Sequence, residues 1–375
     1  MQAQIKLGRY FGIPIGLHYS FLLIALLITL SLSAQFHSTN PAWSEGVVWS
    51  SALLTAILFF AAIVIHELAH SLVAKSRGLT VRSITLFALG GVSQMEQESP
   101  DSRTEFWTAI VGPITSAVVG VLCLGVAWSL GWNPTSAPSQ PTQAVLVWLG
   151  YINLTLAAFN MIPGFPLDGG RVLRGIIWWI TRDRVRATSI AAQAGQFVGF
   201  AFIVSGLVRF FGGAGLGGLW ISFIGWFLID AARSQQIQSG IVDKLQGTRV
   251  GDVMSRENET VDGFSNIQTF VTEHLLRSGR RCFIVTEKGR VAGLITPREV
   301  RQIPHARWPY TTVDEVMRPL DQLRTMTIDT PVVKALEIMG REDVNQLPVI
   351  LDGDLQGIIS RSHILELLQT ISDLD

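Results

Sequence analysis

Apolar residues run long and unbroken through the first two thirds of the chain, then break into short bursts. Six segments, roughly 18–36, 48–74, 105–131, 143–162, 187–211 and 215–232, are long and apolar enough to cross a bilayer, which takes about 20 helical residues. The sixth is the weakest, being short and opening with Gly215, Gly217 and Gly218. The stretch 79–97, LTVRSITLFALGGVSQMEQ, alternates loosely and is β-branched before Gly90-Gly91, which predicts a short β-ribbon. Between two spans such a ribbon can dip into the protein where it lines a cavity, and its edge can take up an extended peptide by strand addition. The alternative is a plain cytoplasmic hairpin. The Pro-rich stretch 132–142, WNPTSAPSQPT, reads as an external connector.

Beyond residue 236 the pattern is that of a soluble α/β protein. Residues 236–246 read as a polar, partly helical linker. Residues 247–306 and 309–372 are two copies of one pattern. Val250-Gly-Asp-Val-Met254 corresponds to Val313-Asp-Glu-Val-Met317, and a helix-like stretch follows each, at 266–278 and 331–342. Buried strands are predicted at Cys282–Val285 and Leu347–Ile350, turns at Gly289 and Gly353, and closing strands at Gly293–Thr296 and Gly357–Ser360, each leading into a helix. One copy of about 60 residues is marginal alone, so the two should share a core.

Charge sharpens this division. The 375 residues are 48% hydrophobic and 15% charged, with mean hydropathy +0.37, whereas soluble domains carry about 25% charged residues. No Lys or Arg occurs between Arg9 and Lys75 or between Arg103 and Arg171, and charge returns to a soluble level from Lys244 onward. The basic residues sit before the first span, between the second and third, between the fourth and fifth, and after the sixth, with only Arg209 beside an opposite loop. Six spans with both termini cytoplasmic satisfy that asymmetry. The N-terminal apolar stretch lacks a small-residue cleavage site and reads as a retained span rather than a removed signal. Balanced charge, 29 basic against 29 acidic residues, implies no nucleic-acid partner. Cys123 and Cys282 cannot define a disulfide framework and read as two reduced thiols.

Against this background His66-Glu67-Leu68-Ala69-His70 stands out, because it follows the uncharged run AILFFAAIVI. An ionisable residue at bilayer depth costs roughly 2.5–3.5 kcal/mol on insertion scales and is a functional-site hypothesis by default. HExxH on a helix places two imidazoles one turn apart on one face, where both can ligate one metal ion, and the intervening Glu can accept a proton from an attacking water. Catalytic zinc takes three protein ligands. Asp168, in Asn160-Met-Ile-Pro-Gly-Phe-Pro-Leu-Asp168-Gly-Gly-Arg171, is the candidate third. It sits at the cytoplasmic end of the fourth span, the same depth as HELAH, where Pro163 and Pro166 break the helix and Gly169-Gly170 permit a tight turn. The alternative is that Asp168 caps the next helix. Asn160, inside the fourth span, can donate to a substrate carbonyl or serve as an interhelical hydrogen bond. His18, His37, His274, His305 and His363 carry no metal assignment.

These motifs together resemble the site-2 protease family of intramembrane zinc metalloproteases. HELAH, the LFALGGVSQM ribbon, Gly112-Pro113 and NMIPGFPLDGGR occur in its order, and residues 1–235 carry the likeness. The GIPIGLHYSF opening and the repeated tail resemble its branch with C-terminal tandem CBS domains. The resemblance implies one zinc ion held by His66, His70 and Asp168, with Glu67 as catalytic acid/base. It also implies a substrate contact at Asn160 and a substrate-clamping strand at Gly90, Gly91 and Val92. The expected architecture is a polytopic α-helical membrane protein of about six spans with a membrane-associated β-ribbon, plus a soluble α/β tandem CBS module.

CBS modules commonly bind adenine nucleotides, through Thr or Ser followed three residues later by an Asp. Here those pairs are Thr296 with Glu299 and Ser360 with His363. Glu299 can still accept a ribose hydrogen bond, while His363 counts against the second cleft. A ligand-free regulatory module or a homodimerisation module is the alternative. The activity expected is peptide-bond hydrolysis in or near transmembrane segments of membrane-anchored substrates, modulated by the CBS module. The rival from another class is a CBS-gated transporter or channel, which predicts solute flux and no tightly bound zinc.

Overall fold

The computed structural model describes residues 4–87, 90–95, 99–245, 247–256, 259–278, 280, 282–342, 344–351 and 354–374. The chain divides into two compact units, Met1–Ser239 and Gly240–Asp375.

Among its described residues the first unit has a small sheet and seven α-helices. The sheet comprises β1 (Ile5–Tyr10), β2 (Ile13–Leu17), β3 (Val81–Phe87) and β4 (Gly90–Met95), in that spatial order. The helices are α1 (Ser20–Thr39), α2 (Glu45–Ser76), α3 (Ser102–Ser129), α4 (Pro141–Asn160), α5 (Asp168–Thr181), α6 (Arg184–Arg209) and α7 (Leu216–Lys244). All but α5 are long and apolar enough to cross a membrane. They overlap the six expected spans, with ends shifted by a few residues except in α7, which runs on to Lys244 beyond the expected end at 232. The boundary between the compact units falls inside α7, which also covers most of the expected linker 236–246.

The expected ribbon is β3 and β4, paired antiparallel, but it is half of a larger sheet. The N-terminal hairpin β1–β2, which the pattern reading did not predict, adds β2 parallel to β3. Its two-residue turn, Phe11 (φ 53) and Gly12 (φ 83), has both φ values positive, the geometry that suits the twist of adjacent strands. Lys75 at the end of α2 donates to the Phe11 carbonyl (3.0 Å) and ties the hairpin to the helix.

The helices turn apolar side chains outward. Leu23, Val121, Leu122 and Phe197 are exposed, while Thr55, Glu105, Thr108, Ser116 and Asn153 are buried. That inversion suits a hydrocarbon surround, which solvates Leu as well as another helix would. Small residues let helices approach. A Cβ on Gly120 of α3 would lie 2.9 Å from the Gly150 carbonyl of α4, so neither position has room for a side chain. Asp101 caps α3 by accepting from the Arg103 and Thr104 amides (2.9 Å each). The Thr104 amide and hydroxyl, donating to the Asp101 carboxylate, hold it below its ordinary pKa.

The second unit has the expected twofold repeat. One sheet orders β5 (Thr260–Asp262), β6 (Phe283–Glu287), β7 (Arg290–Ile295) and β8 (Arg318–Pro319), and the other pairs β9 (Gln346–Leu351) with β10 (Asp354–Ser360). Lys288 (φ 52) and Gly289 (φ 81) make the β6–β7 turn, while Gly353 lies outside the described residues. The repeats exchange their leading segments. Ser255, from the start of repeat 1, bridges to Ile358 of β10, and Pro319, from the start of repeat 2, pairs with Gly293 of β7. The cores interlock likewise. Val250 packs with Val332, Met339 and Ile359 of repeat 2, and Val313 packs with Phe270, Phe283 and Ile295 of repeat 1. Each copy thus lends the other a β-type pairing and a core residue.

Candidate active site

His66 and His70 lie one turn apart on the same face of α2, near its C-terminal end, and both are buried. Asp168 is the first residue of α5, after the non-helical segment 161–167 that follows α4; the N-cap is Leu167, not Asp168. Phe165 in that segment donates its amide to the Ala191 carbonyl of α6 (3.1 Å), which holds the turn against the bundle.

These elements bring three donor atoms together. His66 Nε2 lies 3.1 Å from His70 Nε2, and Asp168 Oδ2 lies 3.2 Å from the first and 3.3 Å from the second. A tetrahedral ion with bonds of about 2.0–2.1 Å has ligand–ligand edges of roughly 3.3–3.4 Å. The triangle therefore matches one face of such a site. The far nitrogens support the same reading. His70 Nδ1 lies 2.6 Å from the Thr108 carbonyl, and His66 Nδ1 lies 2.8 Å from Ser116 Oγ. A carbonyl only accepts, so His70 carries its proton on Nδ1 and turns its Nε2 lone pair toward the other two donors. These residues are the cluster whose ligand atoms all lie within 4.8 Å of one another, among the described residues. The donor set of two imidazoles and one carboxylate fits zinc.

The sequence reading missed what α3 contributes. Thr108, Gly112 and Ser116 recur every four residues and form one stripe. A Cβ on Gly112 would lie 2.1 Å from His70 Nε2 and 2.8 Å from His66 Nε2, so the stripe leaves the donor atoms a space that any side chain would fill. Gly112 was noted only as part of a motif, and nothing in the sequence ties Thr108 or Ser116 to residues some 40–50 positions away.

Glu67 is half-buried and lies within electrostatic reach of His70 and Arg171. Asn160 ends α4, half-buried, and is not one of the three clustered donors. Gly90, Gly91 and Val92 lie on β4, opposite Phe87, Leu86 and Thr85 of β3. The sheet order leaves β4 at an edge, and β4 lies beside α2.

The second unit contains a cleft of about 910 Å³ lined by Arg280, Arg298, Arg301, Arg318 and Arg361, together with Thr296, Glu299, Ser360 and His363. Both expected nucleotide pairs thus face one cavity, but they are already engaged. Glu299 Oε2 accepts from the Thr296 amide (3.0 Å) and from its hydroxyl, closing a capping box. Ser360 Oγ accepts from the His363 amide (3.2 Å). Cys282 also lines the cleft; burial, and then the Glu299 carboxylate, push its thiol up to about 12. Both cysteines are free.

Known proteins resemble this chain along nearly its whole length. Residues 54–137 and 132–206 match Peptidase family M50, and residues 250–305 and 313–370 match the CBS domain. A Synechocystis protein is 32% identical over 375 residues, covering 99% of this chain and 97% of its own. A Mycobacterium tuberculosis protein is 32% identical over 370 residues, covering 98% and 93%. Both carry names that place them among the zinc metalloproteases, as does a Methanocaldococcus jannaschii protein 27% identical over 371 residues. The solved site-2 protease from M. jannaschii is 31% identical, covering 62% of this chain and 94% of that one, with a TM-score of 0.43. Full-length relatives at this identity, with six membrane-length helices ahead of two CBS repeats, make this chain a member of the M50 family, an integral-membrane zinc metalloprotease of the site-2 type.

Proposed function

We propose that the protein cleaves peptide bonds in or beside transmembrane segments of membrane-anchored proteins and so performs regulated intramembrane proteolysis. His66, His70 and Asp168 hold one zinc ion and Glu67 handles the protons. The observation that carries this reading is the triangle of Nε2, Nε2 and Oδ2 atoms with edges of 3.1–3.3 Å. Zinc bound there supplies Lewis acidity toward the scissile carbonyl and acidifies a nearby water. Glu67, between the two histidines, takes a proton from the attacking water and delivers it to the leaving amine. The Asn160 amide donates to the substrate carbonyl as negative charge develops there. A substrate helix has its amides internally bonded and must unwind before attack, and β4, the edge strand that carries Gly90, Gly91 and Val92, offers the extended segment new partners.

The basic loops favour cytoplasmic N- and C-termini, so the centre opens toward the cytoplasm and products are released on that side. Residues 1–235 form the protease, 236–246 the connection, and 247–306 and 309–372 the two regulatory repeats. The arginine-lined cleft takes an adenine nucleotide through its phosphates, with Thr296, Glu299 and Ser360 among its lining, and its occupancy modulates cleavage. A transporter would leave the three converging donors without a role.

The test is Glu67→Gln in the full-length protein. It should retain stoichiometric zinc by metal analysis and lose cleavage of a tagged membrane substrate by about 10²–10⁴-fold, the usual worth of a general acid/base. Unchanged cleavage removes Glu67 from the reaction. Titration calorimetry with AMP, ADP and ATP decides the cleft assignment, and absence of heat for all three rejects it.

A further inference from the structure

We infer that Glu105, which no motif singles out, is a positioning residue for Asp168. The inference rests on the ligand assignment proposed above. Glu105 is fully buried in the first turn of α3. Its Oε1 accepts from Arg171 Nε (3.0 Å) and from Arg174 Nη2. Both arginines belong to α5, the helix that Asp168 opens. They sit three and six residues after it, so one carboxylate oxygen grips the first two turns of the helix that carries the ligand.

Two further contacts make the grip directional. Arg174 is itself buried, and its guanidinium lies over the Phe165 ring, 5.4 Å from the centroid. The latch therefore also reaches the segment that delivers the chain to Asp168. On the other side, a Cβ on Gly175 would lie 3.1 Å from the Phe106 amide nitrogen, so α5 rests directly on the backbone of α3 beside Glu105.

Glu105 also continues the α3 stripe already described, three residues before Thr108. Along one face, α3 meets His66 through Ser116, His70 through the Thr108 carbonyl, and the Asp168 helix through Glu105. All three donors are thus referenced to a single helix. Stability alone does not require this arrangement, because a buried ion pair is often no better than a well-packed apolar one. What an apolar pair lacks is the fixed angle of a guanidinium on a carboxylate, which sets where the helix begins.

The test uses full-length protein in detergent, with Glu105→Gln as the main variant and Asp168→Ala as reference. Zinc affinity is read by competition with a chromophoric chelator, and ligand geometry by the visible bands of the cobalt-substituted protein. Glu105→Gln should bind zinc about 10–100-fold more weakly, the range typical of groups that orient ligands. Its cobalt bands should shift toward those of Asp168→Ala. If Glu105→Gln does not fold, Arg171→Gln, which leaves the Arg174 pair in place, should show the same change to a smaller degree. A purely structural role would lower the melting temperature of the metal-free and metal-loaded forms alike, with affinity and cobalt bands unchanged, and that result overturns the inference. A parent protein that takes up neither metal defeats the ligand assignment itself, and the inference falls with it.

Discussion

The two units solve the same packing problem with opposite conventions. In the membrane unit the buried residues include His66, His70, Glu105, Arg174 and Asn153, while large apolar side chains face out. In the CBS unit the largest buried residues include Phe270, Phe283, Ile295, Met339 and Ile359, and Arg280, Arg298, Arg301, Arg318 and Arg361 line a cleft. Where the solvent is hydrocarbon, an inward polar group brings no hydrophobic gain and has to be held by a specific partner, so it points to chemistry. Where the solvent is water, the inward groups record packing, and arginines gather along a cleft instead. A substitution in the first unit should therefore strike metal binding, and one in the second should strike stability.

Four experiments probe that contrast. Gly112→Ala should have the largest effect, because its methyl would occupy the space between the donor atoms. Zinc content of the purified variant should fall to background while the CBS unit melts normally. Full zinc occupancy would break the contrast on the membrane side. Phe283→Ala should destabilise the CBS unit by about 3–5 kcal/mol, as for a large aromatic removed from a closed core. Phe283 is fully buried and meets Phe270 edge-on, with centroids 5.0 Å apart. Denaturant unfolding should show the loss, with zinc content unchanged.

Ser116→Ala removes the hydroxyl beside His66 Nδ1. It should weaken zinc about 10–100-fold, roughly 1.4–2.7 kcal/mol, with little change in melting. The smallest effect is alkaline. The Cys282 thiol is pushed up to about 12, so the folded CBS unit keeps a proton that the unfolded chain releases. Stability is intact below the ordinary thiol value and declines as pH climbs from there toward 12. Raising the pH from about 8 to about 10 should therefore cost about 1–2 kcal/mol, a difference that Cys282→Ala should abolish.

What the sequence displayed follows the same division. The six spans were legible because each is a long apolar run, and the CBS repeat because the pattern occurs twice. His66, Glu67, His70 and Asp168 were legible as ionisable residues in places that penalise charge. The β1–β2 hairpin was not, since its turn is Phe11-Gly12, with Phe11 in a left-handed conformation that its residue type does not advertise. Nor was the α3 stripe. A threonine that works through its carbonyl, a glycine that works through an absent Cβ and a serine with an ordinary helical neighbourhood leave no compositional mark. The repeat showed that two CBS copies exist but not that Ser255 and Pro319 cross over, because strand exchange depends on pairing between distant segments.

The hydrogen bond from His70 goes to the Thr108 main chain, and the Thr108 hydroxyl has no partner among the described residues. Replacing that threonine with alanine leaves the acceptor where it is. A mutational survey would therefore score position 108 as dispensable while its peptide unit goes on fixing the orientation of the His70 ring. Half of the support for the imidazole pair is in this way shielded from single-residue change and surrenders only to an edit of the backbone itself, such as an ester in place of the amide.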